Sequence, residues 1–153
     1  MTQGSDMSFC AFGAKTLLKY LTRMTTELEN VRDHALEDPE YVHQMRIASR
    51  RLRSALPIFR DCFARKDHRR WSKEIKKITP CLGETRDPDV QLLFLEEKMK
   101  ESPDPAFLPG IQRLHLRLSR KRQSLQAEII KGLDHFHNSD VAAGMIEHLK
   151  PLL

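Results

Sequence analysis

Apolar residues recur every three or four positions through most of the chain, the spacing that puts them on one face of an α-helix. Leu17, Leu21, Met24, Leu28, Val31 and Ala35 set the first stripe and predict one long amphipathic helix over about 9–36. Asp38-Pro39-Glu40 reads as a helix start, with Asp as N-cap, Pro in the first helical position and Glu in the first turn. The second helix is expected to run to about Phe63 with Met45, Ala48, Leu52, Ala55, Leu56 and Phe59 inward. Pro57 lies inside it and should kink it or loosen its last turn. A third helix over about 67–82 carries Trp71, Ile75 and Ile78 inward and stops at Pro80 and Gly83. Asp87-Pro88 repeats the cap-plus-proline start, and a fourth helix continues to about Lys100 with Val90, Leu93, Phe94 and Leu95 as its apolar residues. After a Ser102-Pro103-Asp104-Pro105 linker, a fifth helix over about 110–137 lines up Ile111, Leu114, Leu118, Leu125, Ile129 and Phe136. Asn138-Ser139-Asp140 then caps a short last helix that ends before Pro151. No stretch alternates as a strand would. The expected fold is all-α, an antiparallel bundle of about six helices joined by short loops.

Composition agrees with one packed, highly charged domain: 153 residues, 40% hydrophobic and 31% charged. No apolar run approaches the roughly 18 residues of a membrane span. Residues 1–8 read as a flexible N-terminus without the basic-then-apolar order of a signal peptide. Cys10, Cys62 and Cys81 are odd in number and sit inside apolar patterns. They read as buried thiols of a reducing compartment, which gives a cytoplasmic expectation.

The net charge is +5, and it is concentrated. Residues 43–77 hold twelve Lys or Arg against Asp61, Asp67 and Glu74, a local +9 that leaves −4 for the rest. Residues 113–122 add five more cations and no acid. Such asymmetry suits a polyanion, although a run of cations is also what a solvated helix face looks like.

On a wheel at about 100° per residue, His43, Arg46, Arg50 and Arg53 share a face beside the Leu52 stripe rather than opposite it. Arg60 joins its edge, and Arg51 falls on the far flank. The ladder spans about 15 Å and should border a groove between helices. Like charges at this spacing weaken a helix unless acids or a bound anion compensate them, and the arginine fork suits phosphate oxygens. His43 is either a structural hydrogen-bonder or an anion contact; no Ser, Cys or Asp stands where a catalytic relay would need it.

The string Val42-His43-Gln44-Met45-Arg46-Ile47-Ala48-Ser49-Arg50-Arg51-Leu52-Arg53 resembles the signature of the CHAD domain, the conserved histidine α-helical domain. Leu82-Gly83-Glu84-Thr85-Arg86-Asp87-Pro88-Asp89-Val90 resembles that family's second element. The resemblance covers roughly 9–150. It implies a helical fold whose basic residues line a concave surface or channel, and binding of inorganic polyphosphate without a cofactor. By resemblance, the binding residues are His43, Arg46, Arg50, Arg51, Arg53 and Arg86, and Lys73, Lys76 and Lys77 fall where basic residues are frequent. Arg86-Asp87 has a structural alternative, with Asp87 capping the fourth helix and Arg86 pairing locally.

Full family members look like two related bundles, each with a histidine–arginine helix. Here 9–100 reads as the first repeat, made by the first four helices, and 110–150 as part of a second that lacks that helix. His115 and Arg122 do not replace it and read as packing or snorkelling groups. A half with an uncovered apolar stripe is expected to form a homodimer.

Three functions compete: a polyphosphate-binding module, a nucleic-acid-binding helical protein, and an enzyme on phosphate chains. A scaffold localised on storage granules is a variant of the first. For the enzyme, Glu84, Asp87, Asp89, Glu96 and Glu97 are candidate ligands for a divalent cation. There is no phosphate-cradling glycine loop and no His/Cys metal spacing, so no metal site and no catalysis is expected. The aromatic residues Trp71, Tyr20 and Tyr41 sit at core-like positions rather than among the arginines, which favours an anion without bases to stack.

Overall fold

The computed structural model describes residues 3–101 and 103–153. Among them are six α-helices and no strand: α1 (Gln3–His34), α2 (Glu40–Ala55), α3 (Arg65–Gly83), α4 (Arg86–Lys100), α5 (Leu108–Asn138) and α6 (Val141–Leu149). Short 3-10 turns follow α2 and α6, at Arg60–Cys62 and Lys150–Leu152. The expected all-α bundle is therefore the fold. α1 begins at Gln3, well before the start its periodicity predicts, so residues 3–8 are helical. Met1 and Thr2, the start of the segment expected to be flexible, and Ser102 of the expected linker lie outside the described residues.

One core binds α1, α2, α3, the C-terminal half of α5 and α6. Leu17, Leu21 and Met24 of α1 meet Met45 and Leu52 of α2, Trp71, Ile75 and Ile78 of α3, Ile129, Leu133 and Phe136 of α5, and Val141, Met145 and Leu149 of α6. α1 packs on both α2 and α6, so the first and last helices of the bundle touch. α4 lies outside this core and doubles back along the N-terminal half of α5, with Asp89 beside Arg122 and Glu96 beside His115.

Several local expectations are corrected. Pro57 stops α2 instead of kinking it. α2 ends at Ala55, and the chain then turns with three-residue hydrogen bonds, Ile58 N–H to Ala55 O and Phe59 N–H to Leu56 O. A proline ring at 57 collides with the carbonyl of residue 53 if the helix continues. Pro80, expected to end α3, is carried inside it, and the helix runs on to Gly83. Asp87 is not the cap of α4: the helix starts at Arg86 after the fully buried Thr85, whose hydroxyl donates to Leu82 O. Asp38 does accept the Glu40 N–H, at 2.9 Å, although Pro39 occupies the cap position itself.

The apolar residues expected to bury on α4 mostly do not. Leu95 is buried, but Val90, Leu93 and Phe94 are 45–56% exposed. They lie together on one flank of α4, at spacings of three and one, beside the side that Asp89 and Glu96 turn to α5.

The three cysteines are not three thiols. Cys10 of α1 and Cys62 of the turn after α2 form a disulfide across 52 residues of chain, so cysteine usage no longer supports a reducing compartment. Phe59 sits beside this bond. Its ring packs at a tilt against Phe9 and edge-on against Phe12, and lies over Gly13, where a Cβ would come within 2.5 Å of it. Only glycine lets the ring approach α1 that closely. Cys81 stays a free thiol, and burial, with Glu84 nearby, pushes its pKa up.

Candidate anion-binding groove

α2 and α3 run antiparallel. His68 Nε2 lies 2.8 Å from Leu56 O at one end, and at the other Arg46 Nε lies 3.7 Å from where a Gly83 side chain would begin. The two sequence motifs thus meet in space, with the ladder of α2 against the end of the glycine-bearing element. Arg46 also benefits there from the negative end of the α3 dipole, so part of its role is structural.

Helix rotation sorts the basic residues. Arg46 and Arg53, both half-buried, lie on the flank of α2 that faces α3, while exposed Arg50 and half-buried His43 lie further out. Arg51 is on the opposite flank, its guanidinium 6.0 Å from the Tyr20 ring centroid on α1. On α3, Arg65, Arg69, Ser72 and Lys76 face α2, and Lys73 faces solvent.

Lys77 is turned the other way, toward α5. Its Nζ is 3.4 Å from Glu74 Oε1, and His135 Nε2 is 2.8 Å from Glu74 Oε2. Burial alone would raise the Glu74 carboxyl. The hydrogen bonds and charges of His135 and Lys77 outweigh it and hold that pKa below its usual value. Of the three α3 lysines singled out by resemblance, only Lys76 therefore borders the ladder directly.

Among the described residues, Arg46, Arg50, Arg51, Arg53, Lys73, Lys76 and Arg86 have no acid within 4.0 Å. Nor does Arg86 pair with Asp87; both are exposed on the first turn of α4. At the N-terminal end of the ladder, His43 Nδ1 is buried without a hydrogen-bond partner. Unpaired like charges at helical spacing destabilise α2 by a few tenths of a kcal/mol per pair, a cost that a bound anion would reverse.

The carboxylates considered for a cation are dispersed. Asp89 is bound to Arg122, Glu96 to His115, and no cluster of three or more His, Cys, Asp or Glu able to hold a metal exists among the described residues. Arg122 is the residue that sequence reasoning undervalued. It is neither a snorkelling group nor exposed: with 3% of its side chain accessible, it donates to Asp89 Oδ1 at 2.7 Å and to Gln126 Oε1 at 3.1 Å. Gln126 in turn donates to Val31 O of α1 at 2.9 Å. This chain of bonds ties the second motif, through α5, to the bundle. The available signal was an arginine placed on the Leu118–Leu125 stripe, where a charge needs a buried partner.

The molecule is thus an antiparallel helical bundle in which α2 presents Arg46, Arg50 and Arg53 without acid partners among the described residues, Arg46 beside the end of α3 and Arg50 at the rim of a cleft toward Phe12 and Tyr20 of α1. Residues 15–153 match the family model of the CHAD domain. The chain belongs to the CHAD domain family, a family associated with polyphosphate-related function. No curated protein and no solved structure matches it.

Proposed function

We propose that the chain binds inorganic polyphosphate non-catalytically along the groove between α2 and α3. The observation that carries this reading is the row Arg46, Arg50 and Arg53, faced by Lys76 and without acid partners among the described residues. Polyphosphate is a linear anion that needs repeated cations and no base recognition. Arginine forks supply paired donors at each phosphate. Each cation that neutralises a phosphate releases bound counterions, so affinity should fall steeply with salt. His43 and Arg86 mark one end of the row. Arg51, Lys73 and Lys77 stand outside the groove and contribute through the general field.

Arg46→Ala with Arg50→Ala is expected to weaken polyphosphate binding at least about tenfold, with unchanged helicity by circular dichroism and a shallower salt slope. Wild-type affinity in that double variant would remove the assignment. Duplex DNA displacing polyphosphate at equal charge would favour nucleic acid instead; the position of Arg46 and Arg53 low in a groove, not on a projecting helix, argues for the narrower ligand. Among the described residues no helix is long and apolar enough to cross a membrane. Association with polyphosphate stores follows from the ligand.

Self-association is the second part of the reading. Val90, Leu93 and Phe94 present one exposed apolar face on α4, which a two-fold axis can pair with itself. Sedimentation should show a dimer that Phe94→Glu converts to monomer; a monomeric wild type at tens of micromolar would remove this part.

A further inference from the structure

Basic side chains gather again at the far end of the groove. Arg60, Arg65, Arg69 and Ser72 line a cleft of about 720 Å³ at the turn between α2 and α3. An adjoining cleft of about 650 Å³ shares Arg65 and Arg69 and adds Lys66 and Lys73. Each cleft also has one acid in its lining, and both acids are paired: Glu74 with Lys77 and His135, and Asp61 with its neighbour Arg60 at 3.7 Å. Among the described residues, Arg65, Lys66, Arg69 and Lys73 have no acid within 4.0 Å. Arg65 and Arg69 line both clefts, and with Lys66 and Lys73 on the outer one they maintain a focused positive potential.

The placement of this cleft along the helices gives it meaning. With Arg46 level with Gly83, a rise of 1.5 Å per residue puts Lys76 level with Arg53 and carries Arg69 and Arg65 roughly 10 and 16 Å further. Arg65, Arg69 and Lys76 lie on the α2-facing flank of α3, so the basic lining continues from the ladder into the cleft without changing face. Two concentrations of cations therefore lie along about 27 Å from Arg46 to Arg65, where Arg46 to Arg53 alone spans about 10 Å.

The geometry points to a second anion subsite, centred on Arg65 and Arg69, that makes the groove selective for linear polyanions long enough to occupy it and the ladder together. The inference rests on the polyphosphate reading above and adds to it the length of ligand preferred. A chain held at the ladder presents its next phosphates to the cleft at high effective concentration, so the second contact raises affinity without a second encounter. A short chain reaches one subsite at a time and gains nothing from the other.

The test measures the affinities of tripolyphosphate and of long-chain polyphosphate for three proteins at one ionic strength. Wild type should favour the long chain by more than about tenfold. Arg65→Ala with Arg69→Ala should lower long-chain affinity at least about tenfold and tripolyphosphate affinity less than about threefold. Lys100→Ala with Lys131→Ala, which removes the same charge away from the groove, should leave both unchanged. Unaltered long-chain binding in the Arg65/Arg69 variant, or equal losses for both ligands, would overturn the subsite while leaving the ladder intact. Failure of wild type to bind either ligand would instead remove the polyphosphate reading, and the subsite with it.

Discussion

Cys62→Ser is expected to lower the free energy of unfolding by about 4 kcal/mol. The bond it removes spans 52 residues, from α1 across all of α2. In the chain-entropy description, a crosslink of that span removes loop-closure freedom from the unfolded chain, and the freedom returns when the bond is cut. The folded surroundings give little back, because Phe59 still fills the space over Gly13 next to the bond. Urea unfolding checks the expectation in four samples: wild type oxidised, wild type reduced, and the serine variant under both conditions. The reduced wild type should unfold with the variant, well below the oxidised protein, and Cys81→Ser should leave the oxidised curve in place. Superimposed oxidised and reduced curves would show that the bond contributes nothing.

Arg122→Ala is expected to cost about 3–5 kcal/mol, because it strands the Asp89 carboxylate in the gap between α4 and α5. That carboxyl is nearly inaccessible, and burial already raises its pKa, against the pull of Arg122 and, more weakly, of Arg86. An acid whose folded-state pKa lies above its unfolded value contributes stability that is full below the unfolded pKa and lost as pH rises through the folded one. Removing Arg122 raises the folded pKa further and widens that window. The variant's deficit should therefore be largest at neutral pH and shrink as pH falls through the carboxylate range. Replacing both partners by apolar residues, Arg122→Met with Asp89→Leu, should recover most of the loss, since neither charge is then left alone. Urea midpoints at neutral and acid pH measure both effects. A deficit independent of pH, or undiminished in the double variant, would place its origin in packing.

Helical periodicity was enough for the number and order of the helices, for the limits of α3, α4 and α5, and for the buried faces of α1, α2 and α3, but it began α1 too late and carried α2 past Ala55 to Phe63. Where it failed, a tertiary neighbour decided. Val90, Leu93 and Phe94 fall together on α4, but spacing cannot tell whether anything covers them. Pro57 is compatible with a kink or a loosened last turn, and spacing could not show that the chain instead leaves α2 at Ala55 and turns back to bring Cys62 to Cys10. That approach, across 52 residues, left no trace in local pattern. The ladder of Arg46, Arg50 and Arg53 was legible because it belongs to one helix, whose rotation fixes which residues share a face. The lysines of α3 were not, because their division depends on which helix lies on each side: α5 claims Lys77 through Glu74 and His135 and leaves Lys76 to the groove. Arg122 needed only a stricter reading of one charge on an apolar stripe.

The contact between α1 and α6 fixes when this protein can finish folding. The buried face of α1 is closed by Val141, Met145 and Leu149, all without accessible surface. A ribosome synthesises that part of the chain after α1 to α5. Until Leu149 has emerged, Leu17, Leu21 and Met24 lack part of their cover, so the nascent helices must wait with apolar surface showing. Contacts this distant in sequence carry a loop-closure cost that slows folding relative to a bundle built from successive neighbours. The docking of α6 is thus the step that closes the core over α1.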